Sequence, residues 1–270
     1  MFDTLLLAKI LSSGGIVLGL SLLAERVGPR VAGVLSGAPL GVVMVFFFLG
    51  HEIGTDTIIA SIPHAIAGLT GTLVFVYAYY RTSLWPFRFG ILISPIVSVA
   101  AFFGVALVLS RISFTHASAL VFTAGASITA GLFFRSRIDN LRISWRVRMT
   151  PLVIGFRVGL STVFVVSAIS LAKILGSAWT GLLIGFPMTL LPLLLIVHMT
   201  YSREHAHALI RNFPIGIVGL IIYLLSLPFT FPAFGVTLGT VASLSASCLY
   251  FLVLPLVWRI AGGVKSDVSD

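Results

Sequence analysis

The chain has 270 residues, of which 58% are hydrophobic and only 9% charged, and its formal net charge is +9. Soluble domains carry about 25% charged residues, so this composition excludes an ordinary soluble protein and indicates a polytopic membrane protein. A positive charge would suit nucleic acid only on a basic, water-exposed domain, and no polar stretch is long enough to form one. We therefore expect no nucleic-acid partner and interpret the charge as a topology signal.

Nine stretches of the chain are apolar and long enough, at about 20 residues, to cross a bilayer. Turn and charge signals separate them, among them the segments at 51–56, 201–205 and 229–232. The predicted spans are 4–24, 31–50, 57–80, 87–110, 115–134, 151–173, 178–200, 206–228 and 233–259.

Lys and Arg residues collect in cytoplasmic loops of membrane proteins. With nine spans, all but four of the 17 basic residues fall on one side of the membrane. We therefore predict a multi-pass protein of the inner (plasma) membrane, with its N-terminus outside and its C-terminus in the cytoplasm. The basic residues that fall elsewhere are Lys9, Arg111, Arg157 and Lys173.

One phrase occurs twice: Gly-Val-Leu-Ser-Gly-Ala-Pro at 33–39 returns 148 positions later as Gly-Leu-Leu-Ile-Gly-Phe-Pro at 181–187. Matches at one fixed spacing indicate an internal duplication. Because five spans separate equivalent positions, the second copy is inverted. The predicted fold is an all-α membrane protein with nine transmembrane helices in an inverted 4+1+4 repeat. The predicted units are a first four-helix repeat at 1–110, a linker with the fifth helix and a basic cytoplasmic loop at 111–150, a second, inverted repeat at 151–260, and a short cytoplasmic tail at 261–270.

The repeated phrase is the first candidate for a substrate site. Inverted repeats recur in secondary transporters, whose broken helices form the site near the bilayer midplane. Pro39 and Pro187 lie at similar depths in the second and seventh spans, and proline kinks or breaks a helix. The candidate lining residues are Ser36, Gly37, Pro39, Gly185, Pro187 and Thr189.

The same phrase has a second interpretation, which is helix packing. Gly33 and Gly37 form a small-xxx-small pattern, and so do Gly181 and Gly185. Such pairs allow two helix backbones to approach closely. The sequence leaves both interpretations open.

Two basic residues lie well inside predicted spans at equivalent positions of the repeat, Lys9 and Arg157. An intramembrane charge is a functional hypothesis by default. Ser13 and Ser161 lie one turn deeper on the same helix faces, so each pair suits an anionic head group or carboxylate. The alternative is that both side chains extend their charge to the membrane surface.

All eight acidic residues fall in predicted loops or at the termini, so we expect no buried carboxylate to relay protons. His64 is the best histidine candidate, but we interpret it, like Asn212 in the repeat, as a helix-packing residue. His205 and His207 do not share a helix face and are interpreted as part of a solvated loop. Metal and nucleophile motifs are missing; we expect no enzyme, cofactor or metal.

The second half carries Thr-Gly-Leu-Leu-Ile-Gly-Phe-Pro-Met-Thr at 180–189, followed by Arg-Glu at 203–204, Ala-Leu-Ile-Arg at 208–211 and Tyr-Leu-Leu-Ser-Leu at 223–227. In these phrases it resembles the GlpM family of small four-helix membrane proteins. The first half is similar through the repeat, with Ala38 where the family pattern has Phe. The resemblance implies two such units fused through the fifth helix, and an association with envelope or exopolysaccharide production.

Three functions are compatible with these features. The first is a secondary-transporter-like protein that moves a small anionic or amphipathic solute through a midplane site between the repeats. The second is a translocase for a lipid or a lipid-linked sugar. The third is a non-transporting membrane scaffold for envelope or exopolysaccharide synthesis. The expected partners are membrane lipids and a small-molecule or lipid substrate, and homo-oligomerisation is left open.

Overall fold

The computed structural model describes residues 38–139 and 151–260, together with Gly15 and Val34. Several predicted features lie outside this part of the chain. They are the first span, the segments 140–150 and 261–270, the residues Lys9, Ser13, Ser36 and Gly37, and the side chains of Arg157 and Ser161.

All regular secondary structure in the described residues is α-helical. Two of the helices are interrupted by one glycine each, α5 at Gly176 and α7 at Gly235. We call the parts of α7 at 203–234 and 236–260 its first and second arms. The helices are α1 Leu40–Ile53, α2 Thr55–Ser83, α3 Phe87–Leu109, α4 His116–Arg137, α5 Pro151–Ile184, α6 Leu190–Thr200 and α7 Arg203–Ile260.

Glycine turns separate several predicted spans. Gly54, with φ 86°, follows α1 inside the predicted 51–56 segment, and Gly176, with φ 75°, lies between the sixth and seventh predicted spans. The predicted break at 229–232 is wrong, because α7 remains helical there and turns at Gly235, with φ 72°. A left-handed φ costs other residues about 1–2 kcal/mol, so the turn forms at the glycine and not at the preceding prolines.

In the part of the chain that the structure describes, four helices are long and apolar enough to cross a membrane: α2, α3 from Phe89, α4 and α7. Helices α1 and α6 are apolar but shorter. The surface is apolar too, since Ile96, Val121 and Phe229 are exposed by 69%, 73% and 77%. Large exposed apolar patches are rare on soluble monomers. An all-helical, membrane-compatible architecture is therefore confirmed, whereas the nine spans and the inverted repeat stay predictions.

Helix α2 lies at the centre of the packing, against α3, α4, α5 and α7. In its most apolar window, 72% of the residues are buried. Side-chain hydrogen bonds join it to its neighbours, as where the Thr123 hydroxyl of α4 donates to the Ile66 carbonyl at 2.8 Å. Such bonds connect helices where lipid gives little hydrophobic drive for association.

Helix α5 crosses α2 with backbone against backbone. A Cβ atom on Gly181 would overlap the Ser61 carbonyl oxygen and lie 2.7 Å from the Ala65 amide nitrogen. On Gly185 it would lie 2.8 Å from the carbonyl carbon of Gly68. These atoms belong to a helix backbone and cannot move aside. At Gly181 and Gly185, the crossing therefore has the close approach of two helix backbones that the packing interpretation describes.

Helix boundaries recur at the spacing of the repeated phrase. Thr55 begins α2 and Arg203, 148 positions later, begins α7. Phe87 begins α3, and its equivalent, Gly235, is the turn between the arms of α7. In the predicted duplication, α1, α2 and α3 would correspond to α6 and the two arms of α7.

The α5–α2 crossing gives a stability prediction. Gly181→Ala should lower the free energy of unfolding by about 1–3 kcal/mol, the usual cost of overpacking. Gly104→Ala is the matched control, because a Cβ there meets nothing within 4 Å; it should be neutral or slightly stabilising. Unfolding in detergent micelles measures both, and equal effects would contradict the crossing.

Candidate functional site

The helix that carries Pro187 is broken in two. Helix α5 ends at Ile184 and α6 begins at Leu190, so residues 185–189 form a non-helical connection. Proline has no amide hydrogen, so Pro187 cannot donate the bond that would continue α5. Of the two forms that the sequence left open, a kink or a discontinuous helix, the structure has the discontinuous helix.

The first copy of the phrase also precedes the start of a helix. Ala38 and Pro39 form a turn, α1 begins at Leu40, and the Val43 amide donates to the Pro39 carbonyl at 2.7 Å. Proline fits a helix start because the first amides have no partner within the helix. Each proline phrase is therefore followed by a new helix.

These two helix starts lie against each other. A Cβ atom on Gly41 would lie 3.4 Å from the Thr189 methyl carbon and 3.8 Å from the Met188 Cβ. Beside this contact lies a cavity of about 40 Å³ that both helix starts line. A cavity of this size holds about three waters, at roughly 10–15 Å³ each. Its lining includes Ala38, Gly41, Thr72, Gly185, Thr189 and Phe213.

Helices α1 and α6 both direct their N-termini to this cavity, since Gly41 and Leu190 of their first turns line it. The unpaired amides of a first turn carry a partial charge of about +0.5. Neither Pro39 nor Thr189 caps its helix with a side-chain hydrogen bond. In α6, however, the Leu191 amide donates to the Pro187 carbonyl at 3.0 Å, and Pro192 has no amide hydrogen. The positive helix end at the cavity is therefore mainly that of α1, and it favours an anion.

The broken segment is held from two sides. The Thr72 hydroxyl of α2 donates to the Gly185 carbonyl, which lies where α5 ends. The Phe186 ring packs between Phe102 and Phe164, with ring centroids 5.1 Å and 4.9 Å away. Position 38 of the first copy is alanine, so the first copy lacks the equivalent aromatic ring.

The structure brings three of the predicted site residues together. Gly185, Pro187 and Thr189 line the cavity, and buried Pro39 is adjacent to Ala38, which also lines it. The sequence did not identify Thr72 from α2. Its spacing from Gly68, four residues or about one helical turn, is the signal that could have indicated it. The other six predicted residues lie wholly or by their side chains outside the described part of the chain.

A second polar group lies where α6 ends. The Tyr79 hydroxyl is 3.1 Å from His198 Nδ1, and the Ser83 hydroxyl is 2.7 Å from His207 Nε2. All four side chains are buried. The prediction that His207 belongs to a solvated loop is wrong, because α7 begins at Arg203 and its first turn carries His207 against α2.

The remaining predicted histidine and its repeat partner make packing contacts. His64 Nε2 lies 3.1 Å from the Ile112 carbonyl oxygen, and its ring is edge-on to Phe114. Asn212 donates to the Ala208 carbonyl of its own helix at 2.9 Å. The His64 contacts join α2 to the segment before α4, as the packing interpretation expects, whereas the Asn212 bond stays within α7.

Comparisons of the chain with protein-family models, with curated proteins and with solved structures give no match. The cavity and its helix starts are thus the features from which a function can be argued.

The Ser83–His207 contact gives a second prediction. Ser83→Ala should leave a buried imidazole without this partner and lower the free energy of unfolding by about 1–3 kcal/mol. Ser136→Ala is the matched control. Like Ser83, Ser136 lies in the last turn of its helix and donates to the carbonyl three residues earlier, but Ser136 is exposed. Chemical unfolding in detergent compares the two, and an equal loss would show that the histidine contact contributes nothing.

Proposed function

We propose that this chain is an integral membrane protein and a secondary-transporter-like carrier of a small anionic or amphipathic solute. One observation carries the proposal: the two helices that follow the repeated Gly-Pro phrase start at one shared cavity. In known transporters, half-helix N-termini near the midplane point at anionic groups of the substrate. The helix N-terminus at this cavity, chiefly that of α1, therefore favours an anion over an uncharged solute.

The cavity is small enough to represent an occluded state. At about 40 Å³ it admits a small ion and a few waters, so a larger solute requires α1 or α6 to move. Both helices are short, with 14 and 11 residues, and each lies between non-helical positions. Short helices with a hinge at each end are suited to such movement, and exchange of the two conformations would open the cavity to either face.

The basic residues at equivalent positions complete this proposal. Lys9 and Arg157 would place one positive charge toward each face of the membrane and attract the anion to the cavity, with Ser13 and Ser161 along its path. The inverted 4+1+4 arrangement, the GlpM-like origin and the inner-membrane topology with a cytoplasmic C-terminus belong to the same proposal.

A solute carrier fits the cavity better than a lipid translocase does. A translocated lipid needs a lateral opening to its site, and a large groove does lie between α4 and α7. The cavity, however, uses Phe213, Ile217 and Leu220 of α7, whereas the groove uses Pro214 and Val218. The groove and the cavity thus lie on different faces of one helix.

Filling the cavity should stop transport. A panel of small anions is first screened in detergent for stabilisation, which grows with the ratio of ligand concentration to Kd. Uptake of the stabilising anion into proteoliposomes should then fall about tenfold or more in Gly41→Leu, a loss equivalent to about 1.4 kcal/mol. Gly104→Leu is the control. Normal uptake by a folded Gly41→Leu protein would contradict this site.

The paired basic residues are tested separately. Lys9→Met and Arg157→Met should each reduce uptake of the same anion without loss of folded protein, because each removes one attracting charge. Lys173→Met is the control, since Lys173 is basic but its repeat equivalent is Glu25. Unchanged uptake in both test variants would exclude them from the transport path.

A further inference from the structure

The groove between α4 and the first arm of α7 has the size of a ligand site. Its volume is about 500 Å³, within the range of roughly 300–1,000 Å³ for small-molecule clefts. The walls are mainly apolar, and Ile128 and Leu132 on its rim are exposed by 64% and 66%. The groove therefore opens sideways, on the kind of surface that we propose faces lipid.

Positive charge is concentrated at one end of the groove. A Cβ on Gly131 of α4 would lie 3.7 Å from the Pro214 Cβ of α7, so these residues lie at one level. Arg135 is about one turn after Gly131, and Arg211 is about one turn before Pro214. Because the two helices run in opposite directions here, both arginines lie on the same side of that contact, where both line the groove.

The charge at this end of the groove is positive in the part of the lining that the structure describes. None of the described residues that line the groove is Asp or Glu. Arg135 is exposed and Arg211 is partly buried. Arginine binds phosphate oxygens in a two-pronged geometry, so an occupant with a phosphate suits this end.

The lining of the groove includes two hydroxyls, those of Ser127 and Tyr250, and the Tyr250 hydroxyl donates to the Ile215 carbonyl at 2.8 Å. The Ser127 hydroxyl of α4 is buried and has no hydrogen-bond partner, and Ser127 lies about one turn from Gly131, on the side away from Arg135. Beyond it the lining is apolar, with Leu120 and Ile221 at the far end. From one end to the other, the groove thus presents two cations, then the hydroxyls of Ser127 and Tyr250, and then an apolar channel.

We propose that this groove binds one anionic phospholipid. Its phosphate lies between Arg135 and Arg211, its ester region accepts a hydrogen bond from Ser127, and one acyl chain lies along the apolar part. Basic pockets between transmembrane helices at the cytoplasmic side are known to hold such head groups, and the charge distribution of the sequence predicts that side for both arginines. The lipid is distinct from the transported solute, because the groove and the cavity occupy different faces of α7.

Lipid retention by the full chain tests this assignment. The protein is exchanged into detergent containing phosphatidylglycerol or phosphatidylcholine, and native mass spectrometry measures bound lipid. Wild type should retain one phosphatidylglycerol and little phosphatidylcholine. Arg135→Gln/Arg211→Gln should weaken phosphatidylglycerol binding roughly tenfold or more. Arg137→Gln is the control, since Arg137 is exposed on the same helix end but does not line the groove.

A second variant separates lipid loss from misfolding. Ala124→Phe puts a large side chain into the groove and keeps both arginines, so it should also lose the bound lipid. Equal retention of phosphatidylglycerol by wild type and either test variant would overturn the proposal. The same holds if both lipids bind alike, or if Arg137→Gln loses as much lipid as the double variant, since that would indicate a diffuse basic surface.

Discussion

The backbone contact between α5 and α2 is the constraint on which the rest of the structure depends. Gly181 and Gly185 bring the end of α5 against Ser61, Ala65 and Gly68 with no space for a side chain. Pro187, two residues after Gly185, has no amide hydrogen with which to continue the helix, and α5 ends at this contact. The hydroxyl of Thr72, one turn further along α2, donates to the Gly185 carbonyl that the break exposes. Close packing and a broken helix, which the sequence presented as alternatives, occur together.

The helix starts that follow the two Gly-Pro phrases lie at one cavity, but their surroundings differ. Phe186 anchors the second phrase among Phe102, Phe164 and other rings, whereas Ala38 lines the cavity with a single methyl group. Position 38 therefore makes no ring contact like those that hold Phe186 in the turn before α6. In the proposed mechanism α1 is therefore the more mobile of the two helices, and α6 the one that keeps the geometry of the site.

The sequence predicted the helical architecture and the place of the α5 break, since both depend on local signals. Apolar length marks a span, and Gly54, Gly176 and Pro187 mark turns that few other residues form as readily. It failed in two places. The turn at Gly235 follows prolines that are the stronger break signals in sequence, although only the glycine adopts its left-handed φ readily. His207 is buried because the start of α7 packs against α2, which is a tertiary contact. The shared cavity and the groove depend on contacts between distant segments, which a pattern in one segment does not encode.

Access to the cavity from both sides of the membrane is the central claim of this account. Cys248 is the sole cysteine and is exposed, so a Cys248→Ser background allows one reporter, Thr189→Cys, at the start of α6. Its reaction with a membrane-impermeant thiol reagent is measured in right-side-out and inside-out vesicles, with and without the stabilising anion. A carrier that alternates between two open states predicts labelling from both sides and protection by the anion. Folded protein that is not labelled from both sides would contradict this claim. Protein that is labelled from neither side would indicate a permanently closed crossing of two helices.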